Sequence, residues 1–195
     1  MAMIKSRYKA VVIFSHLATG QSTALIPTST APSIHISSSV YPAYHHLNIN
    51  MHNKFDPKRS IPSLTGKVIL ITGGNIGLGK ASALALCTHN PAQLWITARN
   101  PTTGETAVSE IRALAPKTVS VKLLELDLTS FTSIKTAAKR FTREVGGRLD
   151  VLMLNAGIMG GDPGVTKEGY GKQFGTNHIG HVSINKSLFL KLELT

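Results

Sequence analysis

The residues of this chain best suited to chemistry lie in one glycine-rich run, Thr72-Gly73-Gly74-Asn75-Ile76-Gly77-Leu78-Gly79. The run follows an apolar stretch that reads as a buried strand, and it opens what reads as a helix. In that setting its residue types suit the binding of a pyrophosphate. Gly73 permits a tight turn, Gly77 lets backbone N–H groups at the helix start come close to the phosphates, and Gly79 lets the helix pack against the sheet. A flexible turn without a ligand is the competing reading, and the strand–turn–helix context weighs against it. Asn75 offers a second polar contact to the phosphates. The end of the next strand then selects the ligand. An Asp or Glu there would accept a hydrogen bond from a ribose 2′-hydroxyl, but this chain has Arg99, twenty residues after Gly79. A guanidinium suits a 2′-phosphate, so the expected ligand is NADP(H) rather than NAD. An arginine that merely sits on the surface is the alternative.

The elements that must position these residues alternate regularly from Ile61 onward. Strands are expected at residues 67–72, 93–98, 118–126 and 149–155, each rich in Val, Ile and Leu. Helices are expected at residues 77–88, 101–114, 130–145 and 167–190. Asn100 is placed to cap the second helix, with Pro101 in its first turn and Ala107, Ile111 and Leu114 as its buried face. The third helix carries Phe131, Ile134, Ala138, Phe141 and Val145 on one stripe and ends at Gly146-Gly147. Near-continuous apolar strands separated by amphipathic helices imply a parallel sheet covered on both faces. With right-handed crossovers this gives an α/β, doubly wound (Rossmann) fold. Residues 1–60 differ in texture. The stretch from Gln21 to Tyr44 is crowded with Ser, Thr and Pro and has no period, so it reads as a disordered or appended segment.

Composition narrows the function. The chain has 195 residues and a formal charge of +11, with 42% hydrophobic and 16% charged residues, which suits one domain with a core. The charge is spread along the chain with no basic stripe, so an anionic small molecule explains it better than a nucleic acid. No stretch is apolar enough to span a bilayer. Cys87 is the one cysteine, so no intramolecular disulfide can form. A packed thiol beside Leu84 and Leu86 is expected there. His45, His46 and His52, and the pair His178 and His181, lack the further ligands that a metal site needs. Lys5, Arg7 and Lys9 with no acid before Asp56 have the composition of a mitochondrial transit segment, the alternative to a cytoplasmic location.

Three further motifs support a family resemblance. The spacing Thr72-Gly73-x-x-x-Gly77-x-Gly79 resembles that of the short-chain dehydrogenase/reductase family. Asp127-Leu128, after the third strand, is similar to that family's adenine-pocket aspartate. Asn155-Ala156-Gly157, after the fourth, is similar to its N-A-G motif. The block from Glu168 to His181 resembles retinol-dehydrogenase-like and fungal members, and Asn177 in it matches the asparagine of the catalytic tetrad. The resemblance covers residues 61–181 and implies strand order 3-2-1-4. It also implies hydride transfer between a nicotinamide and a small carbonyl or alcohol, with a tyrosine as general acid/base, a nearby lysine, a serine and the asparagine.

The sequence departs from that pattern after Asn177. No serine strand or Tyr-x-x-x-Lys pair follows before Thr195, and Tyr170 precedes Asn177 and has Phe174, not lysine, four residues on. The expectations are a sequence cut short after His181, an upstream extension over residues 1–50, and a polypeptide inactive as given. The alternative is a nucleotide-binding fragment or interaction module without turnover. A four-stranded sheet would leave the apolar fourth strand as an edge, so self-association is expected.

Overall fold

The computed structural model describes residues 55–192. The segment assigned to an irregular N-terminal region lies outside these residues up to position 54, as do His45, His46 and His52. Its last residues form a helical turn, α1 (Pro57–Ser60), capped by the Asp56 side chain.

Four strands, β1 (Val68–Ile71), β2 (Gln93–Ala98), β3 (Ser120–Glu125) and β4 (Val151–Met153), form one parallel sheet in the order β3-β2-β1-β4. This is the expected order. Side chains of successive strand residues point to opposite faces, and the two faces build two cores. Val68, Leu70, Trp95, Leu124 and Leu152 face one side, where Phe141 meets the Trp95 ring edge-on at 5.3 Å. Ile69, Ile71, Leu94, Ile96, Val121 and Leu123 face the other. Each fully buried Leu or Ile contributes roughly 1.5–3 kcal/mol, which is why strands buried on both faces carry so few polar residues.

Helices α2 (Gly77–Cys87) and α3 (Pro101–Leu114) cover the second face, while α4 (Phe131–Val145) and α6 (His181–Leu192) cover the first. The caps form as the residue types require. The Asn100 side chain accepts from the N–H groups of Thr102 and Thr103, and Ser130 accepts from that of Ser133. Cys87 is fully buried, as expected, and donates to the Leu84 carbonyl. Leu114 is not buried: it lies in the last turn of α3, past the sheet, and is 60% exposed. Phe131 is only half-buried because it begins α4 at the rim, where its ring lies 6.2 Å from that of Tyr170.

The last expected helix is the main correction. It begins not near residue 167 but with a short turn, α5 (Lys172–Phe174), followed by a π-helical turn (Gly175–Gly180) that leads into α6. Residues 166–171 are diverted into a bend in which the Thr166 N–H bonds the Tyr170 carbonyl and Gly169 has φ +85°. A left-handed residue cannot continue an α-helix.

Candidate functional site

The glycine turn leaves the carboxyl end of β1 beside the ends of β2 and β4. Gly73 and Gly77 have φ of +64° and +55°, a region that side chains with a Cβ rarely adopt. The turn is anchored from β2: the Gly73 N–H donates to the Thr97 hydroxyl and the Gly74 N–H to the Thr97 carbonyl, both at 3.1 Å. Gly79 is packed so closely on the Gly73 carbonyl and the Asn155 amide that a Cβ would clash with both. At Gly77 a Cβ would meet nothing within 4 Å. The first glycine of α2 therefore faces open space, and Ile76 at its N-cap contributes no side-chain hydrogen bond, unlike Asn100 and Ser130 at α3 and α4. Free N–H groups at a helix start, with room in front of them, fit a pyrophosphate.

Arg99 stands at the end of β2, exposed, and makes no hydrogen bond or ion pair among the described residues. The Asn75 amide donates to the Thr103 hydroxyl at 3.3 Å, which places it against the start of α3, next to Arg99 and Asn100. Asp127, at the end of β3, is half-buried, and one carboxylate oxygen accepts from both the N–H (2.9 Å) and the hydroxyl (2.7 Å) of Thr129. The Leu128 side chain belongs to the core. Thr72 to Gly79, Arg99 and Asp127 thus follow the carboxyl ends of β1, β2 and β3.

The fourth segment joins them through Thr72. Its hydroxyl accepts from the N–H groups of Asn155 (2.9 Å) and Ala156 (3.0 Å), while the Asn155 amide donates to the carbonyls of Thr72 and Gly73. Gly157, exposed, lies where a Cβ would come 3.4 Å from the Asn177 Oδ1. Asn177 uses its whole side chain on Ile158, accepting from the N–H and donating to the carbonyl, each at 2.8 Å. It sits in the π-turn, which widens the helix at this point.

One residue of this network was considered from sequence only as a metal ligand. His181 is 3% exposed, with Nε2 at 3.0 Å from the Thr72 Oγ1 and Nδ1 at 3.0 Å from the Asn177 carbonyl oxygen. Burial holds the imidazole below its ordinary value, against the opposing pull of the hydrogen bond to the Asn177 carbonyl and with a smaller contribution from the neighbouring His178. His178 itself is exposed and stacks on Phe174 at 5.2 Å between ring centroids. The two histidines therefore do different things. Nothing in their spacing separates them; only the π-turn and the bend before it decide which one turns inward. Glu168 was likewise missed as a cap. Its carboxylate accepts from the Phe131 N–H at 2.6 Å, tying the bend to the start of α4. Among the described residues no group of three His, Cys, Asp or Glu could hold a metal ion.

Comparison with known proteins gives this geometry its context. Residues 67–193 match the short chain dehydrogenase family. Retinol dehydrogenase 12 of Mus musculus is 38% identical over 130 residues, covering 67% of this chain and 40% of that protein. The short-chain dehydrogenase/reductase drtF of Aspergillus calidoustus is 39% identical over 122 residues, covering 63% of this chain and 38% of its own. The chain thus spans about 40% of the length of these curated relatives. Among solved structures, the Pseudomonas aeruginosa RhlG/NADP active-site complex is 25% identical with a TM-score of 0.52, covering 65% of this chain and 46% of that one. An NAD+-bound xylitol dehydrogenase, 24% identical with a TM-score of 0.56, shares the fold over 66% of this chain and 49% of its own. On the match over residues 67–193, the chain belongs to the short-chain dehydrogenase family.

Proposed function

We propose that this chain holds NADP(H), as the cofactor-binding part of an oxidoreductase that interconverts a carbonyl and an alcohol. The observation that carries this is the open space in front of Gly77 at the start of α2, in a turn anchored at Gly73 and Gly74 on Thr97 and packed at Gly79 on the Gly73 carbonyl and the Asn155 amide. The N–H groups of the turn would take the pyrophosphate, with Thr72, Gly73, Ile76, Gly77 and Gly79 shaping it. Arg99 and Asn75 would take the 2′-phosphate, Asp127 and Leu128 the adenine end, and Asn155, Ala156 and Gly157 the nicotinamide ribose. The bound nicotinamide supplies or accepts the hydride. Arg99, unpaired among the described residues, supports the 2′-phosphorylated form, since its charge has no internal partner to satisfy.

By the family resemblance Asn177 would be the asparagine of the catalytic tetrad. Hydride delivery to a carbonyl leaves an alkoxide that needs a proton donor, and Tyr170 has Phe174 rather than a lysine four residues on. For the purified 195-residue polypeptide the expectation is binding without turnover, with the nucleotide-binding module as the second reading. Calorimetric titration with NADPH and NADH, followed by an assay with mixed aldehydes and ketones, tests it. Tighter binding of NADPH supports the proposal. Binding of neither nucleotide overturns it, and turnover overturns the inactive reading.

A further inference from the structure

We propose that His181 is a positioning residue of the dinucleotide site, whose neutral ring, protonated on Nδ1, holds the glycine turn, the Asn155–Gly157 bend and the Asn177 turn in one arrangement; this rests on the nucleotide-binding reading above. The proton assignments follow from the partners. The Asn177 carbonyl can only accept, so the hydrogen of the ring is on Nδ1, 3.0 Å away. The Thr72 oxygen already accepts two backbone N–H groups, from Asn155 and Ala156. Its own hydrogen points to an acceptor, and Nε2 at 3.0 Å is nearer than the Met153 carbonyl at 3.4 Å. A ring carrying its hydrogen on Nε2 would set N–H against a hydroxyl with no lone pair to spare, and would leave Nδ1 facing a carbonyl. One tautomer satisfies every group, and the ring is buried, so water cannot substitute.

The helix is built to permit this. The His181 main-chain N–H bonds the His178 carbonyl, three residues back, so it is the imidazole that reaches the Asn177 carbonyl four residues back. Thr72 is followed directly by Gly73, the first left-handed residue of the turn. The ring thus joins Thr72, the residue that starts the glycine turn, to the backbone of Asn177.

The full 195-residue chain tests this in two measurements. Long-range proton–nitrogen NMR of the imidazoles, with His181→Gln to assign the resonance, is expected to show Nδ1 protonated and Nε2 bare. NADPH titration of the wild type, His181→Phe, His181→Gln, Thr72→Val and the double variant Thr72→Val/His181→Phe is expected to show a loss of roughly tenfold or more in each single variant, greatest for Thr72→Val, which also unpairs the Asn155 and Ala156 N–H groups. The double variant should lose clearly less than the two single losses combined, because both changes break the shared Thr72–His181 bond. A purely structural histidine would lower the melting temperature yet leave the affinity of the folded protein unchanged, and that result overturns the proposal. So does an Nε2-protonated ring, or additive losses. If the wild type binds neither NADPH nor NADH, the nucleotide reading fails and takes this one with it. Wild-type binding that His181→Phe and His181→Gln leave intact overturns this one alone.

Discussion

Gly77 and Gly79 are two residues apart and have opposite environments. A Cβ at Gly79 would strike the Gly73 carbonyl and the Asn155 amide, whereas one at Gly77 would point into empty space. Gly79→Ala is therefore expected to lower stability by about 1–3 kcal/mol through overpacking, seen as a lower midpoint in thermal or urea unfolding. Gly77→Ala bears the cost of a left-handed backbone, roughly 1–2 kcal/mol, but strikes nothing in the protein. Its larger effect is expected on NADPH affinity, because its Cβ occupies the space the pyrophosphate needs. Equal NADPH binding by Gly77→Ala and wild type would show that the cradle is not there. At Arg99 the expected change is in selectivity. Loss of a charge-assisted hydrogen bond, about 1.5–3 kcal/mol, gives Arg99→Asp a roughly 10–100-fold fall in the NADPH-to-NADH affinity ratio. An unchanged ratio in paired titrations would remove Arg99 from the site.

At the scale of elements, the sheet is fastened at the end opposite the glycine turn by Asp150. Its carboxylate, 12% exposed, accepts from the Val68 N–H (2.9 Å), from Lys67 (3.1 Å) and from Arg148 (2.8 and 3.1 Å). Burial pushes this carboxyl up, but the hydrogen bonds from Arg148, Val68 and Lys67 outweigh it and hold the group below its ordinary value. A depressed carboxyl contributes stability that is complete above the unfolded-state value, near 3.9. That contribution is lost as pH falls through the folded-state value. Asp150→Asn is expected to lower stability by about 1–3 kcal/mol at neutral pH. The gap to wild type should close as pH falls below about 4, in denaturant titrations across that range. A gap that does not change with pH would mean that the carboxylate charge is not what joins β1 to β4. Most of the elements were legible in the sequence. Asn100 with Pro101, and Ser130 before Phe131, mark helix starts by local hydrogen-bonding chemistry, and α3 and α4 begin where those residues lie. The start of the last helix was not legible, because residues 166–171 are held in a bend by ties to distant residues, the Lys167 N–H to the Thr129 carbonyl and the Phe131 N–H to the Glu168 carboxylate.

For the whole molecule, β4 pairs only with β1 among the described residues, and its residues are Val151, Leu152 and Met153. An apolar edge strand with an open row of N–H and C=O groups recruits other chains. Concentration-dependent self-association is expected in sedimentation velocity. A monomer at all concentrations would show that the edge is covered. The sequence by itself determined the doubly wound fold and the location of the glycine turn, since strand burial, helix capping and turn conformation depend on residues close together along the chain. The strand order, set by pairings between distant segments, was legible only through the family resemblance. The sequence could also name Arg99, Asp127, Asn155 and Asn177, because each ends a strand or falls in a recognisable motif. Only the tertiary structure decided that Gly77 faces open space while Gly79 is packed solid, and that His181 rather than His178 turns inward to Thr72. Those outcomes depend on which backbone atoms of distant segments come within hydrogen-bonding distance, and residue spacing along one helix carries no record of that.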